Sequence, residues 1–400
     1  MHPRLLPPSL DYEEARLRLL EAIQALPTEF VPLEQALGRI AATDVRSGVD
    51  IPPVRIAAMD GYALPDDGGA AAGYQANGSG PEQTVPVLTG RPVPPWCVAV
   101  APEEECLIEN GRIRPLHRYP AATHIRPAGE DTISGSIVHF AWKPVDAIAL
   151  ARIASTGAST VEVVRRPRTL ILTSGDELVK PGIFPSAAEL RYECDSFLLS
   201  GLLTEAGAVP ITLPHQPDDP ARIRDALASA GPFDLLVTCG GAASSEADHV
   251  RPVLKELGAE FRFERVRIKP ARPTGFAFWR GKPVICLPGN PVAVFVGFHA
   301  FIRPLLASLS GLPTGASRPM PAIRLGQACA ADEKRHLFVR CRLTREAGNF
   351  VAVPHPETGS GLLRTLSESD ALISIPPGRP LPAGEPVDSV WLRPEFFAHV

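Results

Sequence analysis

The chain has 400 residues, of which 45% are hydrophobic and 21% charged, with a formal net charge of −4 at neutral pH. That size suits roughly two to four domains, each large enough for a buried core. The mild negative charge argues against a nucleic-acid-coating or membrane-surface protein.

No uninterrupted apolar run is long enough to predict a transmembrane helix. The opening MHPRLLPPSLDYEE lacks the apolar core of a secretory signal, so a cytoplasmic location is expected. The seven cysteines (Cys97, Cys106, Cys194, Cys239, Cys286, Cys329 and Cys341) show no C-x-x-C pair and no zinc-ligand spacing. They are expected to be small buried hydrophobes. The 44 prolines are spread along the chain, about twice the usual share, which suggests short strands and fixed turns.

In chain order, a helix is expected over Tyr12–Leu26, with Asp11 as N-cap and Glu14 completing a capping box. Residues 47–139 read as a small, mostly β domain with strands at Thr84–Leu88, Val98–Val100 and Ile137–Phe140. A helix over Asp146–Ser155 is expected to return the chain to the first helix, grouping residues 10–46 with 140–165 as a helical linker domain.

Residues 166–313 alternate apolar strands with amphipathic helices, the pattern of a doubly wound α/β domain. Its strands are expected at Thr169–Thr173, Val209–Leu213, Leu235–Thr238 and Val284–Leu287. Its helices are expected at Ser196–Ala206, after the Asp219–Pro220 cap, at Asp248–Leu257, and from Pro291 through Leu309. Residues 318–400 return to short strands (Ala322–Leu325, Leu337–Leu343, Phe350–Val353 and Ala371–Ile375) and form a second small β domain.

Ligands of open α/β sheets bind beyond the carboxyl ends of the strands. Four loops fall there: Ser174-Gly175-Asp176-Glu177, Cys239-Gly240-Gly241, Ile268-Lys269-Pro270 and Pro288-Gly289-Asn290-Pro291. Glycines allow close backbone approach to an anion, and the helix after Asn290 points its positive end there. Arg265, Arg267, Lys269 and Arg272 add cations. Asp176, Glu177, Asp218, Glu246 and Asp248 add hard oxygens suited to Mg2+. The segment Ala58-Met59-Asp60-Gly61-Tyr62-Ala63 puts an acid at a turn.

These motifs, in this order, resemble the MoeA/gephyrin E-domain family of molybdopterin molybdenumtransferases over about residues 10–395. Ala58–Ala63 is a family signature; Thr89-Gly90 is similar to its T-G-A turn and Gly129-Glu130-Asp131 to its G-E-D. Thr173–Leu178 is similar to S-T-G-D-E-L, and Gly240-Gly241 through Glu246-Ala247-Asp248 to the G-G…E-A-D segment. Ile268-Lys269-Pro270 and Leu287–Pro291 complete the match.

The resemblance implies a four-part elongated subunit, a homodimer, and an active site between one subunit's α/β domain and the partner's β regions. It implies insertion of molybdate into adenylylated molybdopterin with release of AMP, assisted by Mg2+, and leaves room for molybdoenzyme or cofactor-pathway partners. Carried over, Asp60, Glu177, Asp248 and Lys269 would be catalytic. Thr89, Gly90, Asp131, Ser174, Gly175, Asp176, Gly240, Gly241, Arg265, Arg272, Pro288, Gly289 and Asn290 would bind the cofactor, and Glu177, Asp218 and Asp248 the metal.

The chain departs from the family pattern at several polar positions. Ile56-Ala57 stands for Asn-Ser, Arg91 for Ala, and Trp96-Cys97-Val98 for a glycine-acid segment. The glycine-rich loop reads Cys239-Gly240-Gly241-Ala242-Ala243-Ser244-Ser245; the K-P-G-K-P motif reads Lys269-Pro270-Ala271-Arg272-Pro273; the D-[ST]-N motif reads Glu193-Cys194-Asp195. An alternative is therefore a non-catalytic carrier paralogue of the molybdenum cofactor; a third reading is other phosphoanhydride chemistry on the same scaffold.

Overall fold

The computed structural model describes residues 8–67, 73–76, 83–184, 186–240, 249–312, 323–346 and 348–392. The chain divides into two compact units, residues 28–163 and residues 1–27 together with 164–400.

The second of these units is built on a six-stranded sheet. Its order is Val209–Thr212, Arg168–Thr173, Leu235–Cys239, Lys282–Leu287, Gly275–Trp279, Glu260–Phe263. The first four run parallel, with Thr173 opposite Cys239 and Cys239 opposite Leu287. Apolar runs such as LILT form these strands because both sheet faces are covered. On one face Leu170, Leu172, Leu236, Val284 and Cys286 pack with Ile223, Leu227, Val250, Val253 and Leu254. Each fully buried aliphatic side chain contributes about 1.5–3 kcal/mol relative to exposure.

The two antiparallel strands at the far edge, Gly275–Trp279 and Glu260–Phe263, were not anticipated. The edge strand reads EFRF, half charged, and gives no apolar run.

The helices are Asp195–Glu205, Pro220–Ala228, Val250–Glu256 and a 19-residue segment Pro291–Leu309, which contains a π-helical stretch at Phe298–Ile302. Asp219 caps its helix as expected, accepting from the N–H of Ala221 at 2.8 Å. The Pro291–Leu309 segment is long and apolar enough to cross a membrane by composition, but its most apolar window is 72% buried inside the protein, as befits a core helix.

Two features of the first helix differ from expectation. It stops at Leu20, and Leu26 instead donates its N–H to the Leu309 carbonyl. Asp11 precedes the helix without capping it by its side chain, which pairs with Arg267 at 2.5 Å. Tyr12 packs edge-on against Phe301 and Phe338. The first helix lies in the unit made of residues 1–27 and 164–400.

In the same unit a seven-stranded sheet is centred on His336–Glu346, flanked by Asn349–Pro354 and Ala371–Ile375. Ile268–Lys269, which leaves the α/β layer, joins this sheet parallel to His336–Leu337. Val292, Phe295 and Val296 of the long helix pack with Leu366 and Leu372 beneath it. At the start of the α/β layer, Arg165 grips Asp234 with two bonds of 2.7 and 2.8 Å, and Asp234 also accepts from the Arg168 N–H.

Residues 28–163 contain a second six-stranded sheet, ordered Ala99–Pro102, Gly61–Leu64, Gln83–Val87, Tyr74–Ala76, Arg112–Pro115, Cys106–Glu109. Thr28–Pro32 pairs with Thr160–Val164 beside the helix Ala147–Ser155, whose Asp146 cap accepts from Ala149 N–H. Val31, Val145, Ile153 and Val163 form the local core.

Candidate active site

The three central strands of the α/β sheet end side by side at Thr173, Cys239 and Leu287, so the loops after them meet. Ser174 donates its N–H to the Cys239 carbonyl at 3.0 Å, and Gly175 to Gln216 at 3.2 Å. Gly240 has φ +95, and a Cβ on it would lie 2.1 Å from the Ser174 carbonyl oxygen. A Cβ on Gly289 would lie 3.2 Å from Gly240 Cα. The backbones are in contact there, which only glycine permits. The Ser174 hydroxyl is buried beside this crossing without a hydrogen-bond partner among the described residues.

His215, absent from the sequence candidates, fastens the first loop. Its Nδ1 lies 3.0 Å from the Thr173 hydroxyl and its Nε2 2.9 Å from the Gly175 carbonyl. Outward from it sits an acidic corner: the Asp218 N–H donates to Asp176 at 3.0 Å, and the Glu177 carboxylate folds over Gly175. Burial raises the Asp218 carboxyl above the usual range, helped by the negative charges of Asp176 and Glu177. Its Oδ1 is buried and unpartnered among the described residues. An orphaned oxygen beside two exposed carboxylates fits a hard divalent cation. Among the described residues no three acids, histidines or cysteines gather in a metal-holding group. Asp248, the third ligand expected from sequence, lies outside the described residues, as do Gly241 and Glu246.

Pro288-Gly289-Asn290 opens the long helix. Its second residue, Val292, donates its N–H to the Ser360 carbonyl at 3.2 Å. This places the 359–361 loop of the C-terminal sheet next to the glycine crossing. Arg340 reaches the same loop from the central strand, donating to the carbonyls of Glu357 at 2.9 Å and Gly359 at 3.4 Å.

Arg340 lines a cleft with Lys269, Pro270, Phe338, His355 and Glu357. It is only 5% exposed. No carboxylate pairs with it among the described residues, and burial pulls its guanidinium below the usual range. Lys269 stands exposed at the cleft. Neither cation has a carboxylate partner among the described residues, and Glu357, which also lines the cleft, is paired with Arg364, so the two cations suit an oxyanion.

A second group of cations lies at Arg265, Arg272 and Arg251. Arg265 is 8% exposed, and its Nε and Nη1 are buried without acceptors among the described residues. Burial and then the charges of Arg272 and Arg251 lower its pKa. Arg272 is exposed.

In residues 28–163 the structure joins two predicted residues. Asp60 accepts the Thr89 N–H at 2.6 Å, and this bond holds its carboxyl below the usual range. Gly90 follows in the turn with φ +76. Asp131 is exposed and accepts from the Thr132 hydroxyl at 3.0 Å.

The sequence reading passed over His215, Arg340 and Asp195 as site residues. Arg340 had one signal, a charge in the middle of an apolar strand (HLFVRCRL). Asp195 is 4% exposed at the start of its helix. Its Oδ2 accepts from the Cys239 thiol at 3.3 Å, and its Oδ1 is buried without a partner among the described residues. Burial raises its pKa to about 7.

Residues 10–157 match the family description "MoeA N-terminal region (domain I and II)", residues 170–308 "Probable molybdopterin binding domain", and residues 322–392 "MoeA C-terminal region (domain IV)". The chain is 31% identical over 317 residues to a molybdopterin molybdenumtransferase of Haemophilus influenzae, covering 76% of this chain and 78% of that one. It is 29% identical over 392 residues to molybdopterin molybdenumtransferase 2 of Mycobacterium tuberculosis, covering 91% and 95%. The crystal structure of the molybdopterin biosynthesis moeA protein of Pyrococcus horikoshii OT3 superposes with a TM-score of 0.76 at 26% identity, covering 96% of this chain and 100% of that one.

Proposed function

The chain belongs to the molybdopterin molybdenumtransferase (MoeA) family, a transferase family of molybdenum cofactor biosynthesis, and on that premise we propose that it inserts molybdate into adenylylated molybdopterin with release of AMP. The observation that carries this reading is the continuous path, within one unit, from the Ser174–Gly240–Gly289 crossing through Ser360 to the Lys269–Arg340 cleft.

The substrates are anions of two kinds, a phosphate ester and an oxyanion. The glycine crossing and the positive end of the helix starting at Pro291 suit the phosphate. Lys269 and Arg340 suit molybdate, and Arg265 with Arg272 adds a further place for negative charge. Cleaving a phosphoanhydride depends on positioning and on neutralising the charge that builds up on the leaving oxygen.

Mg2+ belongs to the same proposal, with Glu177 and Asp218 as ligands and Asp248 as the third. When bound, such an ion neutralises phosphate charge. Asp60, Thr89, Gly90 and Asp131 are proposed to bind substrate. A homodimer and a cytoplasmic location complete the reading.

The test is AMP release from adenylylated molybdopterin, with Mg2+ and with or without molybdate. Molybdate-dependent release supports the proposal. Tight binding of the adenylylated substrate without release overturns it in favour of a carrier of the cofactor.

A further inference from the structure

The residue triplet Glu193-Cys194-Asp195 places two acids where the long apolar helix face and the sheet's carboxyl edge converge. The two behave differently. Glu193 is used up locally: it accepts the Ser196 N–H at 2.7 Å and the Ser196 hydroxyl at 2.5 Å, closing the first turn of the helix. Asp195 instead accepts from the thiol of Cys239, the last residue of the central strand, its one donor among the described residues. That thiol also lies 3.7 Å from the Pro288 carbonyl. Cys239 and Pro288 are the residues immediately before Gly240 and Gly289, whose backbones meet at the crossing. Asp195 is thus tied through one sulfur to both halves of the crossing.

A carboxyl buried in this way has two states. Protonated, it is a neutral group. Ionised, it puts a full negative charge next to the place where the phosphate end of the substrate is to sit, in surroundings that screen it poorly. We propose that Asp195 is a positioning residue whose protonation governs how strongly the Gly240–Gly289 crossing holds an anion. This rests on the crossing being the phosphate site of the proposed transferase.

His215, which fastens the Thr173–Gly175 loop, is another titratable side chain beside the crossing, and Asp195→Asn separates its contribution from that of Asp195. Burial is the main cause of the raised pKa of Asp195, and the Glu193 charge adds to it. Cys239 and Cys194 are pushed upward, away from neutrality. The strand Val209–Thr212 and the helix segment Pro291–Gly297, which pack against its helix, carry no titratable side chain. The strand Arg168–Thr173 carries one, Arg168, at its opposite end. The helix start stabilises the charged form and works against the shift.

Sulfate is a suitable probe because it stays a dianion across the range, so any pH dependence comes from the protein. Calorimetric titration of the full chain with sulfate is expected to show affinity falling about tenfold between about pH 6 and about pH 8.5. Asp195→Asn should remove most of that fall and keep the high-affinity level throughout. Cys239→Ser should move the midpoint to lower pH, because a hydroxyl donates a stronger hydrogen bond to a carboxylate than a thiol does. Identical pH profiles in the wild type and Cys239→Ser overturn the proposal whether or not Asp195→Asn folds. So does a wild-type profile that survives in Asp195→Asn. If the wild type holds no sulfate at any pH, the crossing itself is not an anion site, and that failure falls on the premise and on this proposal alike.

Discussion

The Ser174 carbonyl oxygen and Gly240 lie so close that a methyl group on Gly240 would stand 2.1 Å from that oxygen. No relaxation of a side chain relieves such a contact, since both partners are backbone. Gly240→Ala is therefore expected to shift the loop, lowering Tm by several degrees and turnover by at least tenfold. Gly201→Ala is the control: it lies within the helix Asp195–Glu205 with open space around it, and should gain about 0.5–1 kcal/mol. Parallel thermal melts and AMP-release assays check both; an active, stable Gly240→Ala protein would refute the crossing as drawn.

Lys269 is exposed and makes its contribution to the cleft without bracing the core. Lys269→Ala is expected to reduce molybdate-dependent AMP release by about 100-fold or more, with Tm unchanged. Lys269→Arg should recover part of the loss. A loss of Tm that matches the loss of turnover would mean that the side chain supports structure.

Asp195 should also shape stability. Its folded-state pKa, about 7, lies above the ordinary carboxyl value of 3.8. Below the lower value both folded and unfolded chains hold the proton, and the native state carries no penalty from it. As pH rises from the lower value to the upper, the unfolded chain releases its proton first, so stability falls, and the loss levels off above about pH 7 at an order of 4 kcal/mol. Urea unfolding of wild type and Asp195→Asn across this window measures it. The variant's relative stability should climb through the window; two parallel curves would contradict the assignment.

Asp234 shows the opposite sign. Two bonds from Arg165 and one from the Arg168 N–H accompany a carboxyl held below its usual value. Its stabilisation is present at neutral pH and is lost as pH falls through the folded-state value. Arg165→Ala strips two of three donors from a side chain that is 6% exposed and should cost about 1–3 kcal/mol at neutral pH. The difference from wild type should shrink in acid, as followed by urea unfolding near neutrality and near pH 3.

The α/β layer was legible because Leu170–Leu172, Leu235–Val237 and Val284–Leu287 are apolar runs ended by glycine turns, and each run had one sensible partner face. The loops that follow these strands were legible for the same reason. What stayed hidden depends on chain segments far apart. Asp195 looks like an ordinary first-turn acid until Cys239 is brought 3.3 Å away. Arg340 becomes a cleft residue once Lys269 is laid alongside its strand. Asp11 had a capping sequence, yet a stronger ionic partner, Arg267, stands nearby in space and 256 residues away along the chain. Asp60 and Thr89 were both named from the sequence, but their 2.6 Å bond was not.

The pairing of Ile268–Lys269 with His336–Leu337 means that the α/β layer does not by itself hold the lysine at the cleft. The backbone that aims Lys269 is held by hydrogen bonds from a sheet encoded some seventy residues later. A chimera that swaps residues 323–392 for those of a relative would thereby re-aim a side chain outside the exchanged segment. Differences in oxyanion preference between such relatives can thus be inherited through the C-terminal sheet without a single change in the lysine loop itself.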